Sequence, residues 1–446
     1  MTDFDLIVLG AGPGGYTAAL AAAALGKAVM LCESSLLGGT CLNRGCIPTK
    51  ALLRATGEYN MLQNAKSIGV SADNISFNFD EMFAFARDTV QTLRGGIEML
   101  LKKAKVSVVN GKAVVTEKGV VEVNGTKYTA DNIIIATGSV TSMPPIAGAE
   151  LQGVITSDDM LTNGGIPCKS LVIIGGGVVG AEFAQIYNSL GAKVTIIEAM
   201  PKILPLLDRE LSQNLSMIFK KRGIDVHTNA SVNCIEKTAN GLKCRYTEKD
   251  IVCEAESEYV LVCTGRRANT KGVLADSLGI TTPRGYIKTD ATGKTAIDGI
   301  YAIGDVVDGG IQLAHAAEAM GENAVNAMFG VKAAKEMLVP SCVFTQPEIA
   351  CVGITQDEAR EKGIAVETSK GLTSANGKAT IEAAERGFVK LVYRAEDKKL
   401  IGAQLMCPHA SEMIGGITAA INAGITREIM ESTVFPHPTI SETILG

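Results

Sequence analysis

Residues 6–15 read Leu-Ile-Val-Leu-Gly-Ala-Gly-Pro-Gly-Gly, an apolar run that leads into a glycine-rich turn. An alanine-rich segment follows, and residues 27–33 form a second apolar run that ends in an acidic residue. A G-x-G-x-x-G pattern between a strand and a helix, with an acidic residue about 20 positions further on, is typical of a βαβ dinucleotide-binding unit. The stretch therefore predicts a parallel α/β fold at the start of the chain.

The same pattern occurs a second time, in residues 171–198. Three positions of the first copy lie 165 residues before their counterparts in the second: Gly10 and Gly175, Gly26 and Gly191, Glu33 and Glu198. Glycines let the backbone approach a pyrophosphate, and a helix N-terminus favours its negative charge. The sequence therefore predicts two dinucleotide sites, held by Gly10, Gly12, Gly15 and Glu33 in the first copy and by Gly175, Gly177, Gly180 and Glu198 in the second. The alternative is a pair of glycine turns that only pack a helix against a strand.

Two dinucleotide sites in one chain indicate electron transfer between a flavin and a nicotinamide. Glu198 bears on which nicotinamide binds, because a carboxylate accepts from the free 2′-hydroxyl of NAD and repels the 2′-phosphate of NADP. Ala199 and Met200 follow where an NADP site would favour arginine. We therefore expect NAD.

Residues 38–50 read Gly-Gly-Thr-Cys-Leu-Asn-Arg-Gly-Cys-Ile-Pro-Thr-Lys and place Cys41 and Cys46 five positions apart. Near a helix start, a thiolate is stabilised by the helix dipole, and its pKa falls. A metal site is disfavoured because no second pair of ligands at the usual spacing lies nearby. A purely structural disulfide remains as an alternative, although so short a loop would restrict the unfolded chain only modestly.

Residues 435–442 read Phe-Pro-His-Pro-Thr-Ile-Ser-Glu and place His437 five positions before Glu442. A histidine hydrogen-bonded to a carboxylate has a fixed tautomer and a more basic ring, which suits a general base for a thiol. The alternative is a surface histidine before a proline turn.

The composition of the 446 residues narrows the classes of function. A net charge of −5 and a pI near 5.6 argue against a nucleic-acid partner, which needs a basic face. No apolar run is long enough for a membrane span, and the N-terminus leads directly into a strand without a signal-peptide pattern. The 11 cysteines are scattered, which favours a reducing, cytoplasmic location.

The remaining patterns predict the domain organisation. Residues 106–128 alternate like a small antiparallel sheet with a hairpin turn at Asn124-Gly125. Residues 388–393 and 400–406 predict a second hairpin within a C-terminal α+β segment. We expect four domains, at residues 1–141, 142–265, 266–338 and 339–446.

The order of these motifs, with Tyr-Ala-Ile-Gly-Asp at residues 301–305, resembles the pyridine nucleotide–disulfide oxidoreductases over essentially the whole chain. Within that family the resemblance is greatest to members that oxidise protein-bound dihydrolipoyl groups with NAD. It implies an α/β fold with two Rossmann-like dinucleotide-binding domains, one that binds FAD (1–141) and one that binds NAD (142–265). It also implies a central domain that completes the FAD site (266–338) and a C-terminal α+β dimerisation domain (339–446). It also implies a homodimer whose partner is a lipoyl-bearing E2 of a 2-oxo acid dehydrogenase complex or the H-protein of glycine cleavage.

The resemblance also implies roles for single residues. Cys46 would be the sulfur next to the flavin, and Cys41 the sulfur that exchanges with the substrate. His437, supplied by the other subunit and oriented by Glu442, would be the thiol base. Lys50 would lie beside the flavin and pair with Glu182.

Further residues are implied as cofactor contacts. Those for FAD are Gly10, Gly12, Gly15, Glu33, Thr40, Lys50, Ala113, Gly138, Asp305, Leu313, Ala314 and His315. Those for NAD are Gly175, Gly177, Gly180, Glu182, Glu198, Gly265 and Arg266. His315 is expected to act through backbone and packing contacts, and no metal site is expected.

One departure from the family pattern is Arg44, which stands between the cysteines where an apolar residue is common. Two alternatives stay open. The chain could be another disulfide reductase of the family, similar to glutathione reductase, or a flavin-binding redox sensor or scaffold without turnover.

Overall fold

A computed structural model describes residues 2–162, 164–332 and 337–446. The first part of the chain forms β1 (Phe4–Leu9), α1 (Pro13–Ala24), β2 (Val29–Glu33), α2 (Gly39–Arg44), α3 (Cys46–Asn64), α4 (Phe79–Lys103), β3 (Ser107–Asn110), β4 (Ala113–Glu117), β5 (Val120–Val123), β6 (Thr126–Ile135) and β7 (Ser139–Thr141). Strands β3, β2, β1 and β6 are parallel neighbours in that order. The predicted first βαβ unit is therefore confirmed.

The central strands of this sheet are apolar on both faces because helices and a hairpin layer cover both. Leu6, Val8 and Leu31 pack against alanines of α1 on one face. Ile7 and Met30 belong to a second apolar cluster on the opposite face. Continuous apolar strands are what a doubly covered parallel sheet requires.

The prediction of an antiparallel sheet over residues 106–128 is wrong for its first part. Ser107–Asn110 lies parallel to β2 at the edge of the main sheet. A parallel strand needs a long crossover, and the 25-residue helix α4 supplies it. Antiparallel pairing begins with β4 and continues through β5 to the first half of β6. The turn at Asn124-Gly125 is confirmed, with φ values of 51° and 80°, as a type I′ hairpin turn requires.

The second unit follows the same plan. Its elements are β8 (Val154–Thr156), α5 (Ser157–Leu161), β9 (Ser170–Ile174), α6 (Val178–Ser189), β10 (Lys193–Glu198), α7 (Arg209–Lys221), β11 (Asp225–Thr228), β12 (Ala230–Thr238), β13 (Gly241–Glu248), β14 (Ile251–Ser257), β15 (Tyr259–Val262) and β16 (Arg266–Ala268). Strands β11, β10, β9, β15 and β8 form a parallel sheet, and β12–β14 form an antiparallel sheet. Strand β16 pairs with β7 and so joins the second unit to the first.

The chain then returns to the first unit. Strand β17 (Ile300–Ala302) adds to the first sheet beside β6, and α8 (Ala314–Met328) packs along α1. The two helices approach closely at Gly14 and Gly321. A Cβ added to Gly321 would lie 2.7 Å from the Gly14 carbonyl oxygen.

The C-terminal part is an antiparallel sheet with helices. It contains β18 (Ser341–Val343), β19 (Glu348–Gly353), α9 (Gln356–Glu361), β20 (Val366–Leu372), α10 (Gly377–Ile381), β21 (Phe388–Arg394), β22 (Leu400–Cys407), α11 (Ala410–Asn422) and α12 (Arg427–Ser432). The strand order is β18-β19-β22-β21-β20, with the predicted β21–β22 hairpin at its centre. Short 3₁₀ turns occur at Ala65–Ile68, Asp276–Leu278, Gly304–Val306, Thr373–Ala375 and Ile440–Leu445. None of the helices in the described ranges is both long and apolar enough to cross a membrane.

A buried ion pair connects the second unit to the C-terminal sheet. Lys390 Nζ on β21 lies 2.7 Å from Asp208 Oδ2, and the two side chains are 8% and 4% exposed. Asp208 also caps α7 by accepting a hydrogen bond from Glu210 N–H. Because both charges are shielded from water, each depends on the other for its stability.

Candidate active site

The glycine-rich turn of the first G-x-G-x-x-G pattern joins β1 to α1, and its glycines have different structural roles. Gly10 has a φ of +97°, and an added Cβ would lie 2.4 Å from the Ala136 carbonyl oxygen. At Gly15 an added Cβ would lie 1.8 Å from the Gly10 carbonyl oxygen. An added Cβ at Gly12, in contrast, would approach nothing closer than Gly39 Cα at 4.0 Å. Gly10 and Gly15 are therefore required by the fold, whereas Gly12 faces open space that suits a dinucleotide phosphate.

In the second glycine-rich turn, too, two glycines are required by the fold and one faces open space. Gly175 has a φ of +107° and lies against the Cys263 carbonyl, and Gly180 lies against the Gly175 carbonyl. An added Cβ at Gly177 would meet nothing within 4 Å. The glycines of both turns thus fit bound dinucleotides in the same way.

The acidic residues of the two units are held identically. Glu33 accepts hydrogen bonds from Ala11 N–H and Ser35 N–H, both at 2.8 Å. Glu198 accepts from Gly176 N–H at 2.6 Å and Met200 N–H at 2.7 Å. A carboxylate has about four acceptor positions, so each retains capacity for ribose hydroxyls.

The cysteine pair lies where α2 meets α3. Gly45 makes the break between the helices, since an added Cβ there would lie 2.8 Å from the Thr40 carbonyl oxygen. Cys46 is the first residue of α3, and Cys41 lies inside the short α2. Both are free thiols in this structure, and each influences the pKa of the other.

The environment distinguishes the two sulfurs. The hydrogen bond from Cys41 and the charge of Lys50, one helical turn away, lower the pKa of Cys46 to about 7. The same hydrogen bond, together with burial, raises the pKa of Cys41. A thiolate at Cys46 also benefits from the α3 N-terminus. Cys46 is therefore the sulfur that carries negative charge in the dithiol state.

Lys50 and Glu182 come together as the sequence predicts, although they lie in different units. Lys50 Nζ donates to both carboxylate oxygens, at 2.9 and 2.8 Å. Glu182 is 2% exposed and accepts a third hydrogen bond from Phe344 N–H at 3.0 Å. The Lys50 ammonium also lies 4.7 Å from the centroid of the Phe344 ring. This contact brings α3, α6 and the start of the C-terminal sheet to one point.

Asp305 and Arg266 meet through Ser139. Ser139 Oγ donates to Asp305 Oδ2 at 2.5 Å, and Arg266 Nε donates to Ser139 Oγ at 2.7 Å. Arg266 also donates to the Ser139 carbonyl at 2.8 Å. The structure therefore places Arg266 at the junction of the two units, adjacent to the residue predicted to contact FAD.

The other predicted contacts are placed as follows. Leu313 precedes α8, and Ala314 and His315 begin it, beside the N-terminal half of α1. His315 Nε2 is bonded to the Pro340 carbonyl at 2.7 Å. Gly138 and Gly265 follow β6 and β15, with φ values of +68° and +105°. Thr40 lies on α2 and Ala113 on β4, where Ala113 is buried in the hydrophobic core. Their cofactor contacts stay predictions.

His437 and Glu442 form the predicted dyad geometry. His437 Nδ1 lies 2.9 Å from Glu442 Oε1, and Glu442 Oε2 accepts from Thr439 N–H at 2.8 Å. These two hydrogen bonds, the backbone one foremost, lower the pKa of the Glu442 carboxyl. An ionised carboxylate only accepts, so Nδ1 carries the proton and Nε2 is left as the basic nitrogen.

The dyad and the cysteines are separate within one chain. His437 is 78% exposed. Across the described ranges, no hydrogen bond or ion pair joins it to Cys41 or Cys46. The structure therefore brings together the cysteines, Lys50 and Glu182, but not the dyad.

Sequence reasoning missed three residues that hold the cysteine turn and its surroundings. Arg94 of α4 donates two hydrogen bonds to Asn43, and Asp158 of α5 forms an ion pair with Arg44. Ser139 bridges Arg266 to Asp305. No motif marks Arg94 or Asp158, because each acts over a long separation in sequence.

Comparisons with known proteins agree with this geometry. The family model "Pyridine nucleotide-disulphide oxidoreductase" matches residues 4–321, and the model of its dimerisation domain matches residues 339–445. The dihydrolipoyl dehydrogenases of Chlorobaculum tepidum and Geobacillus stearothermophilus are 38% and 39% identical, covering 99% of this chain and 96% and 94% of their own. The structure of the HOCl-induced flavoprotein disulfide reductase RclA from Escherichia coli superimposes with a TM-score of 0.87 at 28% identity, covering 99% of this chain and 98% of that one.

The two family models together span both nucleotide units and the C-terminal sheet. The predicted fold class, with two Rossmann-like units and a C-terminal α+β domain, is confirmed, as is the use of FAD and NAD(H) that goes with the family. The chain belongs to the pyridine nucleotide–disulphide oxidoreductase family.

Proposed function

We propose that this protein is a dihydrolipoyl dehydrogenase: it reoxidises protein-bound dihydrolipoyl groups through the Cys41–Cys46 pair and FAD, and reduces NAD. The observation that carries the proposal is the geometry of the cysteine turn: Cys46 begins α3, one helical turn before Lys50, whose ammonium is held by the buried Glu182. The lowered pKa of Cys46 agrees with this arrangement. The full-length similarity to dihydrolipoyl dehydrogenases supports the choice of substrate.

The first step in this proposal is proton removal from the dihydrolipoyl group. Nε2 of the His437 ring takes the thiol proton, while Glu442 stabilises the imidazolium through Nδ1. The exposure of His437 fits a base that serves another chain, so we propose a homodimer in which each dyad faces the cysteines of the partner subunit. The match of residues 339–445 to a dimerisation domain supports this arrangement.

The second step is thiol–disulfide exchange. The substrate thiolate attacks Cys41 Sγ of the oxidised Cys41–Cys46 disulfide, and Cys46 leaves as a thiolate, stabilised by Lys50 and the α3 N-terminus. The second substrate thiol then attacks the substrate sulfur of the mixed disulfide and displaces Cys41. Cys41 takes up the proton held by His437, and the imidazole receives the proton of the second thiol. One substrate disulfide forms and one protein disulfide is reduced, so two electrons have moved to the cysteine pair.

Two cofactors complete the reaction when bound: FAD would accept the electron pair from the dithiol, and NAD would accept it as hydride. Gly12 and Gly177 leave room for their phosphates, and Glu33 and Glu198 are oriented for their riboses. Glu182 keeps Lys50 in place beside Cys46. We propose Asp305 and the start of α8 as further FAD contacts, and Arg266 as a residue of the nicotinamide side.

We further propose the four-domain division at residues 141, 265 and 338, a cytoplasmic location, and a lipoyl-bearing E2 or H-protein as partner. The way β17 and α8 rejoin the first unit supports a central segment that completes the FAD site. The scattered free thiols support a reducing compartment.

The test compares acceptors and donors on the purified flavoprotein. Dihydrolipoamide with NAD should give the highest kcat/KM, and glutathione disulfide with NADPH should give activity lower by orders of magnitude. Glutathione disulfide as the better substrate would refute the proposed substrate. A preference for NADPH would refute the assignment of Glu198. Bound flavin without turnover of any disulfide or dithiol would favour a redox sensor.

A further inference from the structure

The short helix α2, which lies between the two cysteines, cannot be stable by itself. It has six residues, and no side chain caps its N-terminus, where Gly38 has a φ of 93°. Isolated helices of fewer than about 12 residues are marginal in water, so α2 depends on tertiary contacts. The position of Cys41 relative to Cys46 depends on the same contacts.

Two adjacent residues of α2 supply such contacts. Asn43 Oδ1 accepts hydrogen bonds from Arg94 Nη2 at 2.7 Å and Arg94 Nε at 3.0 Å. This contact lies within the first unit, because α4 belongs to it. Arg44 reaches in another direction, since its Nε lies 3.1 Å from Asp158 Oδ2 on α5 of the second unit.

Asp158 lies between two guanidinium groups. Its Oδ1 is 3.7 Å from Arg266 Nη1, in addition to the contact of Oδ2 with Arg44. Asp158 Oδ1 and Arg44 Nε are buried and make no hydrogen bond, so charge attraction is what connects these side chains. Both side chains are about one-third exposed, which weakens the attraction but does not abolish it.

The contact extends from Arg266 to the predicted FAD side. Arg266 is fixed on Ser139, which in turn donates to Asp305. A chain of polar contacts therefore runs from the cysteine turn through the second unit to Asp305. Arg44 is the residue by which the cysteine turn joins it.

We propose that Arg44 and Asp158 form a positioning pair that holds the turn between Cys41 and Cys46 against the second dinucleotide-binding unit. By holding the turn, the pair limits how far the two sulfurs can move apart and so favours the disulfide over the dithiol. Its importance for turnover rests on the proposed function, but the contact and its effect on the disulfide do not.

The experiment measures the dithiol–disulfide equilibrium of the intact flavoprotein against reduced and oxidised dithiothreitol, with the two states counted by alkylation and mass spectrometry. The variants are Arg44→Gln, Asp158→Asn, the double variant, and Arg44→Lys, which keeps the positive charge opposite Asp158. The control is Arg54→Gln, which removes an exposed arginine of α3 that pairs with Glu58.

A positioning pair predicts that both single variants shift the equilibrium in the same direction, about fivefold toward the dithiol. The double variant should shift it no further than Asp158→Asn alone, because Arg44→Gln then removes a contact that is already lost. Arg44→Lys keeps the charge and should stay within about twofold of the unchanged protein, and Arg54→Gln should have no effect.

A purely electrostatic influence on the Cys46 thiolate predicts a different pattern. Loss of a cation at Arg44 and loss of an anion at Asp158 would then shift the equilibrium in opposite directions. Shifts of opposite sign, multiplicative effects in the double variant, or an Arg44→Gln variant that behaves like Arg54→Gln would each overturn the proposal. Because dithiothreitol is the reference couple, failure to oxidise dihydrolipoamide would refute the proposed function and leave this result standing.

Discussion

Replacing Lys50 with methionine removes the cation nearest to Cys46 while keeping most of the apolar stem. A lysine one helical turn from a thiolate lies at roughly 7 Å, where an effective dielectric of about 20 gives an attraction of about 2.4 kcal/mol. Lys50 is 30% exposed, and solvent screening reduces the attraction to about half of that value, which corresponds to about one pKa unit. The pKa of Cys46 should therefore rise from about 7 to about 8.

The assay is the rate of Cys46 alkylation in the dithiol form as a function of pH, followed by mass spectrometry. At pH 7 the thiolate fraction falls from about one half to about one tenth, so Lys50→Met should react about fivefold more slowly. Above about pH 9 both proteins are mainly thiolate, and the rates should converge. Lys66→Met, which removes an exposed lysine beyond the end of α3, is the matched control.

The same variant leaves the Glu182 carboxylate buried without its cation. Breaking a buried pair costs about 3–5 kcal/mol, and partial solvent access to Lys50 reduces this to about 2–3 kcal/mol of stability. Adding Glu182→Gln to this variant should recover more than half of the decrease in the midpoint of thermal unfolding. It should also lower the pKa of Cys46 relative to its value in the Lys50→Met single variant, because the Glu182 charge raises that pKa. An unchanged alkylation rate at pH 7, or a double variant slower than the single one, would show that Lys50 does not act on Cys46 by its charge.

His437→Gln should slow dihydrolipoamide oxidation by about 10²-fold or more and change NADH-to-dye electron transfer by less than about twofold, because only the first reaction needs a thiol base. Equal losses in steady-state assays of both reactions would contradict that role. Gly177→Ala should raise the KM for NAD at least about tenfold with flavin content unchanged, whereas Gly12→Ala should lower flavin content, since each added Cβ enters ligand space; absorbance and initial rates distinguish the two. Lys390→Met should leave kcat almost unchanged but lower stability by about 3–5 kcal/mol, because Asp208 loses its buried partner; an unchanged thermal midpoint would refute this.

Local sequence patterns predict the fold class and most residues of the candidate site. The strand–glycine–helix pattern at Gly10 and Gly175 is written within about 30 residues, so each unit could be read from its own segment. The cysteine turn and the His437–Glu442 pair are also local in sequence. The fold class followed from the repeated unit, since a strand–helix–strand repeat has few ways to cover its apolar strands.

Other features could not be read because they depend on distant contacts. The edge strand Ser107–Asn110 alternates like part of a hairpin, and only the crossover by α4 makes it parallel. Asp158 lies more than 100 residues from both Arg44 and Arg266 and gives no local signal. The contacts of His227 with Glu248 and of His409 with Glu382 could not be predicted for the same reason, because no partner is visible in the adjacent sequence.

The return of β17 to β6 and of α8 to α1 has a consequence for synthesis on the ribosome. The second unit closes its parallel sheet from residues 154–262, which emerge as one continuous piece. The first unit begins the chain, but its sheet is complete only when Ile300–Ala302 has been synthesised. Its helix layer is complete only when Ala314–Met328 has been synthesised. At about 5–20 residues per second, translation leaves the open edge of β6 and the small-residue face of α1 uncovered for several seconds or more. The nascent chain therefore completes its second nucleotide unit before its first, and the earliest residues made are among the last to be sheltered.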